Sequence, residues 1–359
     1  MRPMKSVGRA GMACAVLFVG SGCAMESTAM PVDKEAVDTP AQRSKASSAA
    51  LPAEVTRALA SNDPIPAHLL DTLYTVEHQI PVGDGRQIHV TETFSLAAQQ
   101  RHPHRGILML PGPLTKGDFY NIDVDGYRGR DIMAERGFFA FTADFEGTGL
   151  STFPADGRSP SKDLQVEAMG IVLRELKDLR DIPHLDVLGE SWAGGVAAEL
   201  CADRGRVRSC TLASMIYRTA SDFANATFRS PGFHAFLDSL PDGYFPTSPD
   251  TYFPVVGNSP PDVQAWTMAN EPGSYTTVPL YDVFNLPFFD PTVARVPGRI
   301  IQGELDPNQS LDDTQELARD YGQEGAELVV ISGSTHVPRV EAPPHNDQYW
   351  DAVIQFVDP

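Results

Sequence analysis

The sequence predicts an α/β fold: a mostly parallel, twisted sheet with helices on both faces and an insertion after the sixth strand. Three observations carry this. Short apolar runs alternate with amphipathic stretches from Arg105 to Leu212, the rhythm of repeated βα units. One of those runs, Leu185-Asp186-Val187-Leu188, passes straight into Gly189-Glu190-Ser191-Trp192-Ala193-Gly194-Gly195, a strand, a sharp turn and a helix start. Between Met215 and Pro297 the alternation breaks into a segment dense in proline and aromatics, after which two further apolar runs restore it. The 359 residues suit one domain with an insertion.

The chain begins with Arg2, Lys5 and Arg9 and no acid, followed by a short apolar core from Met12 to Val19 and then Ser21-Gly22-Cys23. This pattern reads as a secretory signal peptide over residues 1–22, too short for a spanning helix. Cys23 after small residues resembles a bacterial lipoprotein cleavage site, where the thiol is lipidated and becomes the mature first residue. The resemblance implies an exported protein held on a bacterial cell membrane by acyl chains, the outer membrane in a Gram-negative host. Ordinary cleavage near Ala24 would instead leave it secreted or periplasmic. Residues 23–66 are expected to be a flexible tether, Ala-, Ser-, Thr- and Pro-rich at first and without apolar periodicity.

The core is expected over 67–215 and 297–359. Leu73–Ile80 and Gln87–Phe94 flank Gly83-Asp84-Gly85 and predict a hairpin. Arg105–Gly112 supplies a third strand ending in Pro111-Gly112-Pro113-Leu114. Phe139–Ala143 supplies a fourth, running into Asp144-Phe145-Glu146-Gly147-Thr148-Gly149-Leu150-Ser151, where Asp144 and Ser151 are turn-building residue types. Leu164–Leu179 is the clearest amphipathic helix. The strand Leu185–Leu188 is the fifth, Val196–Leu200 continues as helix, and Val207–Leu212 is the sixth strand. After the segment 216–296 come two strands, Arg299–Gly303 and Glu327–Ile331, and a last helix near His345.

A serine hydroxyl is a poor nucleophile until a turn lifts it clear of its own backbone beside a base, and small residues two before and two after it permit that turn. Gly189 and Ala193 flank Ser191 in this way. Past the seventh strand lies Glu304-Leu305-Asp306, and past the eighth Ser332-Gly333-Ser334-Thr335-His336. An acid and a base thus follow the carboxyl ends of consecutive strands, where open parallel sheets place functional groups. The order Ser191, Asp306, His336, with the strand 105–112 and the turn 144–151, resembles the α/β-hydrolase superfamily.

The resemblance implies that Ser191 is the nucleophile, His336 the base and Asp306 the residue that orients it, with His345 and Glu304 as runners-up for base and acid. It also implies an oxyanion site built from backbone N–H groups, one of them that of Trp192. Family members place the other just after a glycine, but Pro113 has no N–H to give, so that donor is expected to move to Leu114. The insertion 216–296 would be a cap, and its aromatics, Phe223, Phe228, Phe233, Phe236 and Phe245 among them, would line an apolar pocket or pack the cap onto the core. The expected activity is carboxylic-ester hydrolysis through an acyl-enzyme, on a small or medium apolar acyl substrate. Two alternatives stand beside it: an aminopeptidase like proline iminopeptidase, and a non-catalytic binding protein on the same scaffold. The HGGPG motif of the former is absent.

The formal charge is −19, and losing residues 1–22 would leave 25 basic against 47 acidic residues. Such a surface repels nucleic acid and anionic headgroups, so membrane attachment would rest on the lipid anchor alone. Cys201 and Cys210 form an even pair in an exported chain, compatible with a disulfide and with two buried thiols. Neither has the company of a metal site, and no metal or cofactor is expected.

Overall fold

In the computed structural model the described residues are 51–60, 65–70, 72–101, 104–252 and 258–358. Residues 1–22, expected from the sequence to be a signal peptide, and Cys23 lie outside them. The main sheet contains β1 (Leu73–Gly83), β2 (Arg86–Ser95), β3 (Gly106–Leu110), β4 (Phe139–Ala143), β5 (Leu185–Glu190), β6 (Val207–Ala213), β9 (Gly298–Gly303) and β10 (Glu327–Ile331). Their spatial order is β1-β2-β4-β3-β5-β6-β9-β10. The hairpin β1–β2 and the pair β2–β4 are antiparallel, and every pairing from β4 to β10 is parallel.

Every residue of β3, β4, β5 and β9 is buried, as expected of parallel strands covered on both faces. Successive side chains of β3 go to opposite cores because a strand alternates. Leu108 and Leu110 join the helices Lys162–Arg180 and Trp192–Leu200 on one face. Ile107 and Met109 join Met133, Tyr349, Trp350 and Val353 on the other. Each such apolar side chain contributes about 1.5–3 kcal/mol by leaving water. The helix Lys162–Arg180 starts where the Ser161 hydroxyl accepts from Leu164 N–H and stops at Asp181, whose φ of 49° breaks the helical run.

One expectation is corrected here. The tether ends earlier than residue 66: Ala53–Ala60 is a helix, with Val55 fully buried and Leu51, Ala58, Leu59 and Ile65 packed on the main core. Leu51, Val55, Ala58 and Leu59 recur at helical spacing, and burying that stripe outweighs the flexible composition around it.

Between β6 and β9 the chain forms the helices Asp222–Ala226, Pro231–Ser239, Pro261–Asn270 and Val278–Asp282 and a small antiparallel pair, β7 (Tyr244–Pro246) with β8 (Ser274–Thr276). Phe223, Phe228, Phe233, Phe236 and Phe245 pack against one another in edge-on and tilted contacts at 6.0–6.3 Å between ring centroids. Phe289 is buried in the main core, and Phe288 lies where a Cβ on Gly195 would come within 2.5 Å of its ring. Cys201, at the end of the helix Trp192–Leu200, is disulfide-bonded to Cys210 in β6 across a Cα–Cα distance of 6.2 Å. That bond staples the helix to the neighbouring strand.

Candidate active site

Ser191 sits between β5 and the helix Trp192–Leu200 with φ 54° and ψ −131°. A non-glycine residue rarely adopts such angles, at a cost of about 1–3 kcal/mol. The neighbours hold it there: Ser191 N–H donates to the Ala213 carbonyl at 2.7 Å, and Gly194 N–H donates to the Ser191 carbonyl at 2.9 Å. A Cβ on Gly189 would come within 2.5 Å of the Ala193 carbonyl oxygen and 2.7 Å of the Ala197 side chain, so the turn requires glycine there. Ser191 occupies the N-cap position, yet its hydroxyl caps nothing. It points instead to His336, whose Nε2 lies 3.2 Å away.

The other face of that ring meets Asp306, with Nδ1 2.8 Å from Oδ2. Asp306 is buried, and its carboxylate also accepts from Gln302 Nε2 at 2.9 Å and Asn308 N–H at 2.8 Å. The loops carrying acid and base are stitched together, with Leu305 N–H donating to the Ser334 carbonyl at 2.8 Å and Glu304 N–H to the Ile331 carbonyl at 3.0 Å. At Gly303 they come so close that any Cβ would overlap the Thr335 carbonyl. Burial pushes the His336 imidazole toward neutrality, but the charge and hydrogen bond of Asp306, with the charge of Glu190, hold its pKa above the ordinary 6.5.

The runners-up are elsewhere. Glu304 is exposed and accepts from Ser332 Oγ at 2.6 Å and Gly333 N–H at 2.9 Å, which also holds its carboxyl below the usual range. His345 starts the last helix and pairs through Nδ1 with Glu341 at 2.7 Å. Asp144 accepts from Gly117 N–H, Leu150 N–H and the His89 ring at 2.8–3.0 Å, and Ser151 Oγ donates back to the Asp144 carbonyl at 2.7 Å. Both build the turn after β4.

The loop after β3 passes beside the serine. A Cβ on Gly112 would stand 3.3 Å from the Ser191 Cβ. Leu114 adopts φ 63°, and among the described residues its N–H has no protein acceptor. Its carbonyl accepts from Tyr252 Oη at 2.6 Å. Trp192, first residue of its helix, has an N–H with no intrahelical acceptor. Its indole donates to Asp282 Oδ2 at 2.7 Å, tying the nucleophile's neighbour to the inserted segment. Burial pushes the Asp282 carboxyl up to about 6.

Sequence reasoning missed one charged pair. Glu190, immediately before Ser191, receives Arg339 Nε at 2.7 Å and Nη2 at 3.0 Å, and both residues are buried. Arg339 lies over the Phe119 and Tyr120 rings at 4.3 and 4.2 Å. The only sequence signal was a glutamate inside the apolar turn, which names no partner.

A search of curated protein sequences gave no match. Among solved structures, the fold is similar to a soluble variant of monoglyceride lipase from Saccharomyces cerevisiae, at 14% identity and TM-score 0.63, covering 80% of this chain and 96% of that one. It is similar to an E-2-(acetamidomethylene)succinate hydrolase at 15% identity and TM-score 0.59, covering 80% and 100% of the two chains. A thioesterase domain from the curacin biosynthetic pathway follows at 16% identity and TM-score 0.57, covering 79% and 99%. Residues 107–350, which span β3 to the last helix and include Ser191, Asp306 and His336, match the alpha/beta hydrolase family, and the chain belongs to it.

Proposed function

We propose that the protein is a serine hydrolase that cleaves carboxylic esters of small or medium apolar acids through an acyl-enzyme. The observation that carries this reading is the unbroken line from Ser191 Oγ through the His336 ring to Asp306, with contacts of 3.2 and 2.8 Å. His336 Nε2 takes the hydroxyl proton as Ser191 Oγ bonds to the ester carbonyl carbon, and the carbonyl electron pair moves to oxygen. Asp306 keeps the ring in the tautomer with Nδ1–H and stabilises the imidazolium. Collapse of the tetrahedral adduct expels the alkoxide, which takes the proton from His336. Water then attacks the acyl-enzyme, losing its proton to His336, and the acid departs as Ser191 regains the proton.

The Trp192 N–H at a helix start and the Leu114 N–H beside Gly112 are proposed as the oxyanion donors. Export and anchoring through lipidated Cys23 belong to the same proposal and rest on the N-terminal sequence alone. The experiment is fluorophosphonate labelling of the purified mature protein, then a panel of p-nitrophenyl esters of rising acyl length. Labelling at Ser191 with ester turnover is expected. An unlabelled, inert protein would remove the reading.

A further inference from the structure

The loop Gly112–Lys116 is gripped from the inserted segment at two points. Tyr252 Oη lies 2.6 Å from the Leu114 carbonyl oxygen. The same hydroxyl sits 3.2 Å from Thr247 Oγ1 and 3.0 Å from the Glu271 carbonyl, all within the insertion. Two residues along the loop, Lys116 N–H donates to Glu271 Oε2 at 3.0 Å, and Lys116 Nζ reaches the Asn270 carbonyl. Tyr252 and Glu271 are both buried. Within the loop Thr115 Oγ1 donates to the Gly112 carbonyl at 2.8 Å, and just past its end Gly117 N–H donates to Asp144 of the core at 2.8 Å.

Leu114 needs such a grip. Its φ of 63° lies in the left-handed region, which costs a branched side chain about 1–2 kcal/mol and would relax if nothing opposed it. Relaxation would turn the peptide planes on both sides of Leu114, and with them its free N–H. Pro113 offers no N–H in reserve.

We propose that Tyr252 and Glu271 are positioning residues: the inserted segment clamps the Leu114 carbonyl and the Lys116 amide, and so aims the Leu114 N–H at the oxyanion. The proposal rests on the serine-hydrolase reading and gives the insertion a part in the chemical step besides any part in covering the site. Transition-state stabilisation by a donor depends on its being in place before charge develops, and an ångström of misplacement costs up to about 100-fold.

The test uses the full mature protein, p-nitrophenyl butyrate as substrate and phenylboronic acid as an analogue of the tetrahedral anion. Tyr252→Phe keeps the ring and removes the hydroxyl. It should lower kcat about tenfold with KM within about twofold, and weaken boronate binding in parallel. Tyr244→Phe, which deletes another insertion-to-core hydrogen bond (to the Pro154 carbonyl, 2.7 Å) away from this loop, should leave kcat and boronate binding as in wild type. Glu271→Ala should repeat the Tyr252→Phe pattern, and Glu271→Gln, whose amide oxygen can still accept from Lys116 N–H, should restore activity. If Tyr252→Phe fails to fold, the Glu271 pair carries the same comparison. Wild-type kcat and boronate affinity in Tyr252→Phe or Glu271→Ala would overturn the clamp alone. A wild-type protein inert to esters and fluorophosphonate would overturn the serine-hydrolase reading, and the clamp with it.

Discussion

Glu190 and Arg339 form a bidentate ion pair at 2.7 and 3.0 Å, both side chains buried, one residue before Ser191 and three residues after His336. The pair joins the end of β5 to the loop bearing the imidazole. Removing one partner leaves a buried charge uncompensated, typically a loss of about 3–5 kcal/mol. Arg339→Met should therefore lower the midpoint of denaturant unfolding strongly, whereas Glu190→Gln, which keeps an acceptor for the guanidinium, should be milder. Urea titrations of the two variants check the order.

The charge of Glu190 also helps to hold the His336 pKa up, behind the larger contribution of Asp306. The base must be neutral, so kcat/KM should fall as pH drops through that raised pKa, with a midpoint above 6.5. Glu190→Gln should move this acid limb to lower pH, and Asp306→Asn should move it further while cutting kcat by about 10⁴. Glu304→Gln and His345→Ala should leave both limb and rate close to wild type. pH–rate profiles on one activated ester decide it, and an unmoved acid limb in Asp306→Asn would sink the assignment of the base.

Ser191→Ala should remove ester turnover by at least about four orders of magnitude. Stability gives a second readout, because φ at this position is 54°. Ser191→Gly should be equally inert yet unfold at a higher temperature than Ser191→Ala, by a difference of about 1 kcal/mol. Calorimetry of the two inert variants measures it. Equal melting temperatures would mean the turn is unstrained.

Burial raises the Glu271 carboxyl to about 7, with Lys116 working against the rise. A carboxyl whose folded pKa is raised binds its proton more readily in the folded state, so its favourable contribution is complete below the unfolded value of about 4.5 and is lost as pH rises toward 7. Above that range the ionised form costs the fold about 3 kcal/mol. Glu271→Gln should consequently stabilise the protein at pH 8 and change little at pH 4.5. Melting curves at the two pH values test the sign.

Cys23→Ala should shift the protein from the membrane fraction to the soluble fraction, or leave an unprocessed precursor. Fractionation with mass spectrometry of the mature N-terminus reads the outcome. An unmodified N-terminus elsewhere would mean ordinary secretion.

The sequence by itself determined the βα order, the sheet's parallel core and the strand-turn-helix around Ser191, because apolar periodicity and small residues at a sharp turn are local requirements. It also placed Asp306 and His336 after consecutive strands. Tertiary structure decided what depends on distances between segments far apart in the chain. It joined Cys201 to Cys210, which required a Cα separation no spacing reveals. It packed the stripe Leu51, Val55 and Leu59 onto a core that only the folded sheet provides. It packed the insertion's phenylalanines against one another, edge to face and tilted. It also brought Arg339 to Glu190 and Tyr252 to the Leu114 carbonyl, across 149 and 138 residues of chain. Pairings of that kind leave no periodic trace, since a buried charge or hydroxyl needs a partner in space and not at any fixed distance in sequence.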